Sequence, residues 1–217
     1  MSFVLRDFGN GHFGQQTTAP GDLELARVNG AAGFNLNVAS NSDAIVDIAS
    51  GALTHWVGGF TVQGGGIGVA VGGNWQNTSS TINTGGSLFV QSHITGADGT
   101  FWNSGKLEFL TGQGDMSEHV NTVGGTTEYA AGPGKMQNTL DFGKIVLDAT
   151  HADSYSQANG SLALFNHGQL VSSMSLIVVG QAFHPSAFGV QQVGNSVVIH
   201  EGANFADPNG ANLPLHV

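Results

Sequence analysis

The residues best suited to chemistry in this 217-residue chain are Asp115, Glu118, His119 and Glu128, which lie within one short stretch. Carboxylates gathered on one face of a β-fold can serve as acid and base on a glycoside, or hold Ca²⁺ while a uronate is eliminated. Asp115 and Glu118 are the pair that would hold such an ion. An anionic sugar also requires basic partners, and the chain has only Arg6, Arg27, Lys106, Lys135 and Lys144, none in an Arg-rich cluster. Solvated loop charges are therefore the preferred reading, and the chain is expected not to be an enzyme. Nine His residues invite a metal reading, with His151, Asp153 and His184 as ligands, but no His-x-x-x-His or Glu-containing zinc motif is present. There is no Gly-x-Ser-x-Gly elbow, and no Cys to act as thiolate ligand, nucleophile or disulfide.

A formal charge of −10 opposes binding to phosphate backbones and anionic membrane surfaces, so nucleic acid is not expected as a partner. No run reaches the roughly 18 apolar residues of a membrane span. A cleavable signal peptide is not visible at Met1–Asp7, which lacks a basic region followed by an apolar core. The run Gly64–Gly73 lacks the third glycine of a nucleotide fingerprint, and no amphipathic helix follows it, so it reads as a strand with tight turns.

The elements that must position these groups are strands. Only 9% of the residues are charged and 40% are hydrophobic, so the chain can bury a core; its 34 glycines punctuate short runs of Val, Ile, Leu, Phe and Thr. Leu23–Val28, Phe34–Val38, Ala44–Ile48 and Phe60–Gln63 alternate apolar with polar, the pattern of strands with one buried face. No window carries a helical stripe long enough to form a helix. Asn166-His167-Gly168 predicts a turn between strands, and Gly194-Asn195, between Val190–Val193 and Ser196–Ile199, predicts a hairpin.

One repeat organises the middle of the chain: Gly73-Asn-Trp-Gln-Asn77-Thr, Gly99-Thr-Phe-Trp-Asn103-Ser and Gly134-Lys-Met-Gln-Asn138-Thr, each followed by a strand-like run. Irregular periods of this size suggest stacked coils. Asn77, Asn103 and Asn138 are then candidates for a ladder, bonding to one another and to turn backbone along the stack. Trp75 and Trp102 recur at equivalent points of the repeat and are expected in the core with Trp56.

These Asn-centred lines resemble the coils of autotransporter-like and haemagglutinin-like parallel β-helices. The segment Gly160–Gly202, with Leu162–Gln169, Leu176-Ile177, Phe188 and Val197–His200, is similar to the terminal strand module of large alphaproteobacterial proteins exported by type I secretion. That resemblance implies export without an N-terminal signal. The calcium nonapeptide of that family, Gly-Gly-x-Gly-x-Asp, is present only as fragments, Gly96–Gly99 and Gly112–Asp115.

The expected fold is therefore all-β: a single-domain, parallel β-helix-like solenoid. Residues 1–21 would form an N-terminal arm or cap, 22–160 the coils, 161–202 a C-terminal hairpin module and 203–217 a tail. A short acidic rod exposes unpaired strand edges at its ends. The expected function is an extracellular or cell-surface structural protein that polymerises with itself, with cation bridging by Ca²⁺ as a possible aid. Phe3, Val4, Leu5, Phe8 and Phe13 would cross to a neighbour. A polysaccharide-binding or polysaccharide-cleaving β-helix is the alternative, with extracellular polysaccharide as the partner.

Overall fold

The computed structural model describes residues 2–95, 99–111, 118–130, 137–158, 161–178, 188–201 and 213–214. The chain is an all-β solenoid with no helix among these residues. Its rungs lie on two sheets. The first rung is β1 (Phe3–Phe8) and β2 (His12–Thr17), and the next is β3 (Leu23–Val28) and β4 (Ala31–Val38). Then come β5 (Asp43–Ile48), β6 (His55–Gly58) and β7 (Phe60–Val62), followed by β8 (Ile67–Gly72), β9 (Asn74–Asn77) and β10 (Ser80–Ile82). The series continues through β11 (Ser87–Val90), β12 (His93–Ile94) and β13 (Thr100–Asn103), then β14 (Lys106–Phe109) and β15 (His119–Val123). It ends with β16 (Thr126–Tyr129), β17 (Gln137–Asp141) and β18 (Lys144–Asp148).

Beyond β18 the direction of the chain starts to alternate. β19 (Ser154–Ala158), β20 (Ser161–Asn166) and β21 (Gln169–Val178) form an antiparallel meander whose last strand lies parallel beside β17. β22 (Phe188–Val193) and β23 (Ser196–Glu201) form the expected hairpin across Gly194-Asn195, and β23 adds antiparallel to β18. A short β24 (Leu213–Pro214) pairs with β19, so part of the tail is docked. The turn at His167-Gly168 has positive φ at both residues, as its sequence suggested.

One sheet therefore runs β1-β3-β5-β8-β11-β14-β16-β18-β23-β22, and the other is built on β4 and its successors, with β2 on the free side of β4. In the second sheet β4 faces β6 with its first half and β7 with its second, because the strand after it is broken at Gly58-Gly59. Alternation puts one face of each strand inside: β5 buries Ala44, Val46 and Ile48, and β14 buries Leu107 and Phe109. Aromatic rings run the length of the core. Phe34, Trp56 and Trp75 follow one another with centroids 5.2 and 5.0 Å apart, and Phe101, Phe109 and Tyr129 continue at 5.4 and 4.9 Å.

Three expectations change here. Residues 1–21 are not a separate arm: Phe3–Phe8 pair in parallel register with Leu23–Val28, and His12–Thr17 with Ala32–Asn37, so they are the first rung. The two ends also differ, since antiparallel strands cover the last parallel rung while nothing among the described residues covers the first. Finally, Trp102 lies outside, 50% exposed, and its neighbour Phe101 fills the core. A strand's side chains alternate faces, so a one-residue offset in the repeat inverts the assignment.

Candidate functional site

Most rungs turn from the second sheet into the first through a corner with one left-handed residue, the exception being the corner before β14, where Ser104 has no positive φ. Gly21, Asn41, Gly65, Gly85 and Gly124 occupy that slot with φ between 57° and 82°, each two residues before its strand of the first sheet. Glycine and asparagine are the residues that adopt this conformation at little cost. In the last parallel corner the slot is held by Phe142, with φ 52° and a ring 86% exposed. The next corner position stacks glycine on glycine. A Cβ at Gly125 would fall 2.7 Å from the Gly105 carbonyl oxygen, and one at Gly143 would fall 2.8 Å from that of Gly125. Backbone thus lies against backbone and leaves a shallow floor. Over this floor a cavity of about 380 Å³ is lined by Gly124, Gly125, Thr126, Phe142, Lys144 and His200. Lys144 and His200 face each other across β18 and β23.

The catalytic candidates are not brought together. Glu118 points into the core and is fully buried, while His119, the next residue, points outward. Glu128 lies on the other sheet and, with Glu108, holds the Lys106 ammonium at 3.0 and 2.8 Å. Asp115 and His184 lie outside the described residues. Among the described residues no three His, Cys, Asp or Glu side chains gather to hold a metal ion. His151 is exposed, and Asp153 is held by the His167 ring and backbone N–H at 3.0 and 2.7 Å. Those bonds hold the Asp153 carboxyl below its ordinary range, the backbone N–H contributing most.

Glu118 is an internal structural group. Asn77 Nδ2 donates to its Oε2 at 3.0 Å, and burial pushes its pKa up to about 7 against the lowering effect of that bond. Asn77, Asn103 and Asn138 are all buried, but they do not form one ladder. The register sets Asn138 opposite Val120 and Leu176, Asn103 opposite Ile82 and Thr122, and Asn77 opposite Gly58, which places them in three different columns. Each finds other partners. Asn103 Nδ2 donates to the Thr126 carbonyl and Thr127 Oγ1 at 2.8 and 3.0 Å, and Asn138 Oδ1 accepts from the Tyr129 hydroxyl at 2.7 Å. Bonding to turn backbone describes Asn103, whose Oδ1 accepts from Gly105 N, while Asn77 bonds to Ser80 Oγ, Glu118 and the Thr100 carbonyl of β13; mutual stacking does not occur.

The proposed assembly residues divide by face. Phe3, Leu5 and Phe13 are 63%, 48% and 78% exposed, whereas Phe8 is buried against Phe34 and Val4 is partly buried. Inside the first rung polar side chains lie beside Val4 and Phe8. Arg6 reaches the buried Glu24 at 3.1 Å, and Gln16 lies 3.4 Å from the His12 ring. Burial raises the Glu24 pKa and Arg6 opposes that rise.

Leu5 begins an outward row of Leu25, Ile45, Val69 and Phe89, one residue per rung, before Glu108 and Glu128 interrupt it. In β1 the carbonyls of Ser2 and Phe8 accept from Leu23 and Asn29 of the neighbouring rung. The two-residue alternation of a parallel ladder therefore directs the backbone N–H and C=O of Phe3, Leu5 and Asp7 at the open edge. No protein-family model matches this chain, and neither a curated protein nor a solved structure matches it.

Proposed function

We propose that this chain is an extracellular structural protein that joins end to end into a filament or surface layer, by continuing its first sheet from one copy to the next. The observation that carries this reading is the pair of strands terminating that sheet. β1 and β22 each have six residues, and neither has a neighbour on its outer side among the described residues. Two antiparallel steps, β18 to β23 to β22, restore the original strand direction. A second copy translated along the axis would set its β1 parallel to β22, the same sense in which β1 pairs with β3. Such a joint is heterologous and does not close on itself, so it propagates. The β22 sequence Phe-Gly-Val-Gln-Gln-Val carries none of the charges or prolines that blunt a free edge.

Arg6, His12 and Gln16 set polar groups beside Val4 and Phe8 inside the first rung, so the joint draws on edge hydrogen bonds as well as on apolar burial. The apolar row from Leu5 to Phe89 offers a surface along which filaments could lie side by side. Export is supported only by the resemblance of the C-terminal strands to type I-secreted proteins.

The test is electron microscopy and sedimentation of the full chain, with and without millimolar Ca²⁺, beside Leu5→Pro. That substitution removes an N–H aimed at the open edge and leaves the ladder to β3 intact. Filaments in the parent and folded monomers in the variant are expected. A parent that stays monomeric in both conditions, or filaments unaffected by Leu5→Pro, would overturn the proposal.

A further inference from the structure

We propose that the outer face of the second sheet, centred on Trp102, is a docking surface for an uncharged polysaccharide strand. The starting point is the distribution of charge. Nine strands of that sheet, β2, β4, β6, β7, β9, β10, β12, β13 and β15, contain no Asp, Glu, Lys or Arg, and Asp141 on β17 is the first such residue on a later strand. Every Lys and Arg among the described residues, Arg6, Arg27, Lys106 and Lys144, belongs to the first sheet, which also carries Asp7, Asp43, Asp47, Glu108, Glu128 and Asp148. Both sheets turn one face to water, so exposure alone does not explain the separation. A water-facing sheet without charges forgoes the groups that ordinarily keep protein surfaces soluble and apart.

The side chains on this face specify the ligand. Thr61, Thr81, Trp102, Asn121 and Thr139 form one outward row, one residue per rung, at the spacing of about 4.8 Å between paired strands. Trp102 is 50% exposed and Phe101 fills the core beneath it, so the core does not require the indole. Hydroxyls and carboxamides both donate and accept, as sugar hydroxyls do, and an indole offers a broad, rigid surface to the apolar face of a pyranose. A protein partner would call for an apolar centre, whereas the residues paired with Trp102 are Thr81 and Asn121, with Val123 exposed on the next strand. A nucleic acid or an acidic glycan would call for cations, and these nine strands hold no Lys or Arg. A formal charge of −10 repels such polyanions and leaves a neutral chain unaffected. With one aromatic platform per copy, binding should be weak singly and strengthened by multiplicity along a filament.

The inference does not depend on end-to-end joining, because this face lies on the flank of one copy. The probes are cellohexaose and laminarihexaose, two neutral glucan chains, titrated to millimolar concentration against the full chain, with hexagalacturonate as the acidic control. Trp56 and Trp75 are fully buried, so acrylamide quenching reads Trp102 alone. At least one neutral probe should shield Trp102 from the quencher, and hexagalacturonate should not. Trp102→Ala removes an exposed ring and should stay folded, yet lose about tenfold in affinity by calorimetry. Leu53→Ala, at an exposed apolar residue just before β6, should leave the affinity unchanged. No shielding by either neutral probe, undiminished affinity in Trp102→Ala, or equal affinity for hexagalacturonate would each overturn the assignment. If Trp102→Ala instead dissociates a dimer seen by sedimentation while glycan affinity is unchanged, the face is a contact between copies and the assignment falls.

Discussion

Asn77 and Glu118 meet inside the solenoid: the Asn77 amide donates to Glu118 Oε2 at 3.0 Å, 41 residues away in sequence, and Glu118 Oε1 has no hydrogen-bond partner among the described residues. Burial keeps this acid protonated to about pH 7 in the folded chain, against an ordinary value of 4.5. The folded state therefore holds a proton that the unfolded state has released between those two values, and stability must fall as pH rises through that window. It is highest below pH 4.5, where both states are protonated, and flat above 7. Replacing the acid by its neutral isostere, Glu118→Gln, should remove this slope and stabilise the chain at pH 8 by about 1–3 kcal/mol. Urea denaturation of parent and variant at pH 5 and pH 8 measures the difference; an equal pH dependence in both would assign the slope to other groups.

Gly124 and Gly125 are adjacent but fixed by different causes. Gly124 has φ 71° with open space around it, so Gly124→Ala should cost about 1–2 kcal/mol of backbone strain. At Gly125 an added Cβ would sit 2.7 Å from the Gly105 carbonyl oxygen and 2.8 Å from that of Asn103. Both are backbone atoms of the preceding corner, and they can yield only if the rungs separate. Gly125→Ala should therefore cost more than Gly124→Ala, at the upper end of the usual overpacking range of about 1–3 kcal/mol or beyond it. Thermal melts of the two variants under one buffer decide it, and the reverse order would mean that the rung spacing is soft.

Asn103 ties one corner to the next. Its amide donates to Thr126 O and Thr127 Oγ1, and its Oδ1 accepts from Gly105 N at 3.0 Å, with the Asn103 side chain itself fully buried. Asn103→Ala strips buried groups of their partners and should cost about 2–4 kcal/mol when summed over three bonds. Asn83, whose amide meets Gln63 Oε1 at 3.1 Å at the surface, is the control: Asn83→Ala should stay within about 0.5 kcal/mol of the parent. Equal losses in chemical denaturation would show that the burial of Asn103 is not what matters.

How much of this was readable follows from where the signal sits. Strand alternation and turn residues are local, so β3, β5, β14 and the Gly194-Asn195 hairpin could be placed from composition and spacing. The rung period was carried by a different column from the one that the Asn repeat suggested. Gly66, Gly86, Gly105, Gly125 and Gly143 recur every 18 to 20 residues, each directly before a strand of the first sheet. Glycine is so abundant that this column is hidden among the others, whereas Asn77, Asn103 and Asn138 stand out and yet occupy different columns. The Phe142 site could not be read at all. Its distinguishing property is a positive φ shared with glycines in earlier corners, and that alignment exists only once the rungs are stacked.

The three tryptophans give the most direct optical check of the register. Trp56 and Trp75 stack at 5.0 Å with 13° between their planes, and their indole N–H groups donate to the carbonyls of Phe34 and Gly58, each at 2.9 Å. Both are fully buried, whereas Trp102 sits on the outer face of β13 with half its surface in water. The register pairs Trp102 with Thr81 and Asn121, so it faces outward with its cross-strand neighbours and cannot share the core with Phe101. Acrylamide should therefore quench one component of the fluorescence readily and leave a blue-shifted remainder. Trp102→Phe should abolish the accessible component at a stability cost within about 1 kcal/mol, because little packing is lost at an exposed site. Trp75→Phe should leave the quenchable component intact but destabilise the chain by about 1–3 kcal/mol, through the lost bond to Gly58 and the void beside Trp56. If quenching survives in Trp102→Phe, the strand is slipped by one residue and every side chain of β13 faces the other way.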